Sequence, residues 1–161
     1  MLISNEMARA IARSAFKNAS QLLKTLVDTC VLSEVHRRGG SLRVREQFIA
    51  PDADDIYLSV LTVGELKKGI ERLRSCKRRD ELRRWHEQII GAAGDRLLAV
   101  NRETALIWGE LAAAAERKGR PIPAIDGLIA ATALQHGLHL MTRNTADLTA
   151  TGVTLTNPWE D

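Results

Sequence analysis

Short apolar, strand-prone runs alternate with stretches of helical periodicity along most of this chain, and few folds accommodate that alternation. Thr25–Val27, Ile56–Val60, Leu97–Val100, His139–Met141 and Val153–Leu155 read as strands. Between the first two, Val31, Leu32 and Val35 form an apolar stripe that ends at Gly39-Gly40. Thr62–Leu73 carries Val63, Leu66 and Ile70 at helical spacing, and Lys77–Ile90 reads as a charged helix. Glu103–Lys118 is an alanine-rich helix closed by Gly119-Arg120-Pro121. Ile125–His136 is apolar almost all round, which predicts a buried helix, and Gly137 supplies its stop. A short helix is expected near Thr145–Leu148. Strands alternating with helices of about 10–15 residues predict a parallel sheet covered on both faces.

Size and composition narrow the class further. At 161 residues the chain is long enough for one domain with a sizeable core. Hydrophobic residues at 45% and charged residues at 27% exclude disordered and fibrous classes. Two isolated cysteines, Cys30 and Cys76, are too few for a disulfide framework or a Cys-rich zinc site, and point to a reducing, cytoplasmic setting. No window approaches about 18 consecutive apolar residues, so no membrane span is expected. Lys plus Arg at 23 against Asp plus Glu at 20 gives +3, which allows an anionic partner without demanding one.

Residues 1–23 stand apart from the expected domain at 24–161. Ile3, Met7 and Ile11 fall at helical spacing, with Arg9, Arg13 and Lys17 elsewhere on the wheel. This N-terminal extension reads as an appended surface helix, against the alternatives of a flexible tail or an organelle-targeting peptide.

The chemistry lies in where particular acids sit. Asp28 closes the first strand, Glu65 falls early in the helix after the second, Asp126 opens the buried helix, and Asp147 follows the fourth strand. In an open parallel sheet all strand C-termini share one edge, so the four carboxylates are expected in one cleft. Singly, each has a structural explanation. Thr62-Val63-Gly64-Glu65 fits a capping box, Asp126 and Asp147 suit helix N-termini, and Asp28 suits an Asx turn. As a set they are costly, because two carboxylates about 4 Å apart repel by roughly 4 kcal/mol at an effective dielectric of 20. Protons or a divalent cation must relieve that repulsion. An all-oxygen donor set favours Mg²⁺ or Mn²⁺ over zinc and suits phosphate chemistry.

Leu26-Val27-Asp28-Thr29-Cys30-Val31-Leu32-Ser33-Glu34, Leu58-Ser59-Val60-Leu61-Thr62-Val63-Gly64-Glu65-Leu66, Ile122-Pro123-Ala124-Ile125-Asp126-Gly127-Leu128-Ile129-Ala130-Ala131-Thr132-Ala133 and Met141-Thr142-Arg143-Asn144-Thr145-Ala146-Asp147-Leu148 follow one another along the chain. These four segments resemble the successive motifs of PIN-domain ribonucleases, in particular the VapC/FitB-like toxins of type II toxin–antitoxin systems, and Asn157-Pro158-Trp159 resembles the family's ending. The resemblance covers about Lys24 to Trp159. It implies a three-layer α/β/α sandwich on a parallel sheet of about five strands, homodimerisation, and Mg²⁺- or Mn²⁺-dependent endonucleolytic cleavage of RNA. It also implies inhibition by a cognate antitoxin protein. The family's acids fall on Asp28, Glu65, Asp126 and Asp147, as catalytic and metal-holding residues, with Thr142 or Asn144 as a polar companion. Cys30 departs from the asparagine common at that place, so a polar contact to the site is expected to be missing. The alternative from another class is a PIN-like module that binds RNA or a protein partner without cutting.

Other features have mostly structural readings. Lys67–Arg84 holds nine basic residues (Lys67, Lys68, Arg72, Arg74, Lys77, Arg78, Arg79, Arg83, Arg84) against three acids (Glu71, Asp80, Glu81). It reads either as an RNA-facing rim or as a solvated helix face with ion pairs such as Asp80 with Arg84. His136 and His139 are separated by a helix stop and do not form a metal pair. Trp85, Trp108 and Trp159 are scattered, with no base-stacking platform evident. Glu34 fits a charged helix face as well as the cleft. A phosphate loop G-x-x-x-x-G-K-[S/T], a strand-linked G-x-G-x-x-G and a D-x-D after the first strand are all absent, which argues against nucleotide-binding and dehalogenase-type readings.

Overall fold

The computed structural model describes residues 24–50 and 53–160, so the N-terminal extension lies outside the described residues. Five strands form one parallel sheet: β1 (Thr25–Val27), β2 (Ile56–Ser59), β3 (Leu97–Leu98), β4 (His139–Met141) and β5 (Leu155–Thr156), in the order β3-β2-β1-β4-β5. The helices are α1 (Thr29–His36), α2 (Leu42–Ile49), α3 (Val60–Glu71), α4 (Lys77–Ala93), α5 (Arg102–Arg117), α6 (Ala124–His136) and α7 (Thr145–Leu148).

Successive strand side chains point to opposite faces, and that alternation divides the core in two. On one face Leu26, Tyr57, Leu98 and Leu140 pack with Ile129, Ala130 and Ala133 of α6. On the other, Val27, Leu58, Leu97 and Met141 pack with Val31 and Leu32 of α1, Val44 of α2, Leu66 of α3 and Ala93 of α4. The expected α/β/α sandwich follows directly. Among the described residues no helix is long and apolar enough to cross a membrane.

The order of strands positions the site. From β1 the chain steps outward to β2 and β3, then returns to the other side of β1 for β4 and β5. The direction of winding therefore reverses between β1 and β4, and the crevice beyond their C-terminal ends is where ligands bind in open α/β sheets.

Three local readings need correction. The sequence showed no element between Gly40 and Ile56, yet α2 lies there. Leu42 and Ile49 are exposed and only Val44 is buried, so its apolar stripe is too weak to read. Tertiary ties make the helix instead: the Glu34 carboxylate accepts from the Ser41 N–H at 2.8 Å, and the Ser41 hydroxyl oxygen accepts from the Val44 N–H at 3.4 Å. Glu34 is thus structural. Gly40 makes the turn possible, since a Cβ there would stand 2.2 Å from the Glu34 carbonyl oxygen. The last strand is shifted to Leu155–Thr156, where it pairs with β4.

The third correction concerns α3, which begins at Val60 rather than Thr62. Ser59 is its N-cap, accepting from the Leu61 N–H at 3.2 Å. Thr62 is buried inside the first turn and its hydroxyl has no hydrogen-bond partner among the described residues, so the capping box does not form. Glu65 is released from that role and sits in the second turn.

Candidate active site

Asp28 leaves β1 as the N-cap of α1. Its N–H donates to the Met141 carbonyl at 3.0 Å, which ties the end of β1 to the end of β4. One carboxylate oxygen, Oδ1, accepts from the Thr29 N–H at 2.6 Å. The other, Oδ2, accepts from the Thr142 hydroxyl at 2.7 Å and from the Cys30 thiol at 3.3 Å. The carboxylate is held from both sides of the crevice.

Glu65 reaches the same place from α3. Its Oε2 accepts from the Thr29 hydroxyl at 2.6 Å. Asp126, at the third position of α6, accepts at Oδ2 from the Asn144 side-chain amide at 3.0 Å. The Asn144 N–H in turn donates to the Thr142 hydroxyl oxygen at 3.1 Å. Asp147 stands exposed on α7, at the rim, with no hydrogen bond to its carboxylate among the described residues.

Electrostatics joins the four. Partial burial pushes the Asp126 carboxyl above its ordinary range, and repulsion from Asp28, Glu65 and Asp147 pushes it further, against the opposing Asn144 bond. Each acid foreseen in the sequence is therefore within electrostatic reach of Asp126. They do not close into a cage: among the described residues no group of three or more His, Cys, Asp and Glu side chains stands arranged to hold a metal ion. The donor chemistry nevertheless fits a hard cation that keeps part of its water shell, since magnesium dehydrates reluctantly and is commonly held by one or two carboxylates.

Of the two residues expected as polar companions, Thr142 hydrogen-bonds Asp28 and Asn144 hydrogen-bonds Asp126. Cys30 corrects the expectation of a missing contact. Its thiol donates to Asp28, lies 3.8 Å from the Thr142 hydroxyl, and accepts from the Arg143 N–H at 3.4 Å. Burial and the adjacent Asp28 charge raise its pKa to about 11. Thr29, the link from α1 to Glu65, was not singled out in the sequence, although a hydroxyl directly after the strand-end aspartate was a readable signal.

The basic stretch splits in two. Glu71 gathers Lys67 at 2.8 Å, Arg83 at 2.9 Å and Arg79, and these cations hold its carboxyl far below the usual range. Arg79 and Arg83 fasten α4 to α3, while Lys67 pairs with Glu71 within α3. Asp80 pairs with Arg83 at 3.9 Å rather than with Arg84. Buried His86 adds a further tie, its Nε2–H donating to the Val63 carbonyl at 2.8 Å.

The family model described as PIN domain matches residues 25–151. This chain belongs to the PIN-domain family. Toxin FitB of Neisseria gonorrhoeae is 36% identical over 137 residues, spanning 84% of this chain and 99% of that protein. VapC ribonuclease Y4jK of Sinorhizobium fredii is 33% identical over 136 residues, covering 84% and 97%. The crystal structure of FitAcB from Neisseria gonorrhoeae superposes on 85% of this chain and 99% of its own, with a TM-score of 0.81 at 36% identity.

Proposed function

We propose that this PIN domain is a divalent-metal-dependent endoribonuclease, acting in the cytoplasm as the toxin of a toxin–antitoxin pair and restrained by a cognate antitoxin. One observation carries the reading: partial burial first, and then the charges of Asp28, Glu65 and Asp147, push Asp126 toward its protonated form at the switch-point edge, a penalty that a bound cation would relieve. The names of the FitB and VapC relatives support the toxin and ribonuclease parts. The motif resemblance adds homodimerisation.

Asp28, Glu65, Asp126 and Asp147 would hold Mg²⁺ or Mn²⁺, directly or through water. When bound, that cation supplies charge neutralisation at the phosphate and acidifies water for attack. The chain's own residues do the positioning. Thr142 and Cys30 fix Asp28, and Asn144 fixes Asp126. Thr29 holds one oxygen of Glu65, leaving Oε1 without a protein partner among the described residues to accept a proton from the attacking water. Hydrogen bonds already in place before substrate arrives cost no reorganisation as charge develops on the phosphate.

The test is cleavage of defined single-stranded RNAs by purified protein with Mg²⁺, Mn²⁺ or chelator. Cutting should need the metal, and Asp126→Asn should abolish it while the protein stays folded by circular dichroism. Metal-independent cutting, or an undiminished Asp126→Asn variant, overturns the mechanism.

A further inference from the structure

A groove of about 650 Å³ opens directly from the acidic site, with Thr29 and Glu65 at its head. That volume lies within the range of about 300–1,000 Å³ usual for small-ligand sites. The groove runs between α1, α3 and α4 over an apolar floor that includes Ile70 and Leu82. One wall is a ring pair invisible in the sequence: His36 and Trp85 stack with centroids 4.0 Å apart and planes 22° from parallel. Trp85 is half-buried while His36 is exposed, so the indole backs an imidazole whose outer face is open.

Its charge favours an anion. Arg38 and Arg78 line the groove, and neither is in an ion pair among the described residues. Arg37 also lines it and spends its charge on Glu34 at 3.6 Å. The opposing acids are Glu81 and Glu65, the latter belonging to the site itself. Arg78 lies close enough to His36 to act on it electrostatically, so ring and cation share one end of the groove.

We propose that this groove receives the nucleotide next to the scissile phosphate of single-stranded RNA, its base stacked on His36 and its phosphate on Arg78 and Arg38. The proposal rests on the ribonuclease reading and adds where the strand leaves the site. A base fits the combination of apolar floor and open ring, and unpaired guanidinium groups fit the backbone. Continuity with Thr29 and Glu65 favours the substrate over an acidic protein segment, since a strand reacting at the acids must pass one of their borders.

The experiment measures equilibrium binding of a fluorescent single-stranded RNA, in chelator, to the cleavage-dead Asp126→Asn protein. Adding His36→Ala should weaken binding about tenfold, as expected from a stacking energy of about 1–3 kcal/mol per base. His36→Phe, which keeps a ring, should restore it. Arg78→Gln should weaken binding and lower the salt slope by about one. An RNA with an abasic residue at the affected position should bind the His36→Ala and parent proteins alike. Unchanged affinity in His36→Ala, failure of His36→Phe to restore it, or weakening of antitoxin binding alone overturns the groove assignment. Failure of the wild type to cut any RNA with Mg²⁺ or Mn²⁺ removes the ribonuclease reading as well, whereas normal wild-type cutting with an indifferent groove removes only this inference.

Discussion

Thr142 donates its hydroxyl hydrogen to Asp28 Oδ2 at 2.7 Å across a sequence separation of 114 residues, joining the ends of the two strands that flank the switch point. Thr142 is fully buried, so water cannot replace the donor. Thr142→Val keeps the shape and removes the hydrogen bond. It should destabilise the fold by about 1.5–3 kcal/mol, the usual range for a bond to a charged group, and reduce RNA cleavage. Thr142→Ser should keep most of both. Urea titration and cleavage rates on the same preparations check this.

Asp126 should make stability fall as pH rises. Its folded pKa lies above the unfolded value, so between the two the native state binds more protons than the unfolded state. Below the unfolded pKa the carboxyl costs nothing, and the penalty grows until pH passes the folded value. In metal-free protein, Asp126→Asn should therefore raise the melting temperature at pH 7 more than at pH 3. Added Mg²⁺ should stabilise the wild type more than the variant. Thermal melts at both pH values, with and without the cation, check both statements.

The two cysteines should react very differently. Cys30 is half-buried, with its pKa raised to about 11 by burial and the Asp28 charge, so almost no thiolate exists near pH 8. Cys76 is free and exposed. Brief iodoacetamide treatment at pH 8 should label Cys76 first, as read by peptide mass spectrometry. Preferential labelling of Cys30 would contradict the thiol's place beside Asp28.

Gly127 should tolerate no side chain without cost. A Cβ there would lie 3.0 Å from Trp108 Cδ1 and 3.1 Å from its Nε1. Gly127→Ala requires the Trp108 indole of α5 to give by a few tenths of an ångström against α6. A loss of about 1–3 kcal/mol is expected, as for other overpacked sites. Because Asp126 is the adjacent residue, cleavage should fall as well. A matched Trp108→Phe change should recover part of the stability, measured by chemical denaturation.

The legible part of the molecule was the part governed by local pattern. β1, β4 and α7 match the sequence reading residue for residue, because apolar runs and helix-start signals are short-range features. The strand-end acids were legible through a topological rule: parallel strands put their C-termini on one edge whatever the loops between them. α2 was illegible because its helix depends on Glu34 and on a glycine turn rather than on its own apolar stripe. The Thr62–Glu65 pattern misled because a cap is decided by where the strand ends, and β2 ends at Ser59.

Spacing and residue type alone determined that this chain forms a parallel α/β sheet and placed four carboxylates toward one end of it, where Asp28, Glu65 and Asp147 act electrostatically on Asp126. Only the folded structure decided which groups restrain those acids: Thr142 and Cys30 on Asp28, Thr29 on Glu65, Asn144 on Asp126. It alone also brought His36 against Trp85. The reason is range. Periodicity and strand-end position are properties of neighbours along the chain, whereas hydrogen bonds and ring stacks require atoms within a few ångströms, and packing rather than sequence distance brings them there.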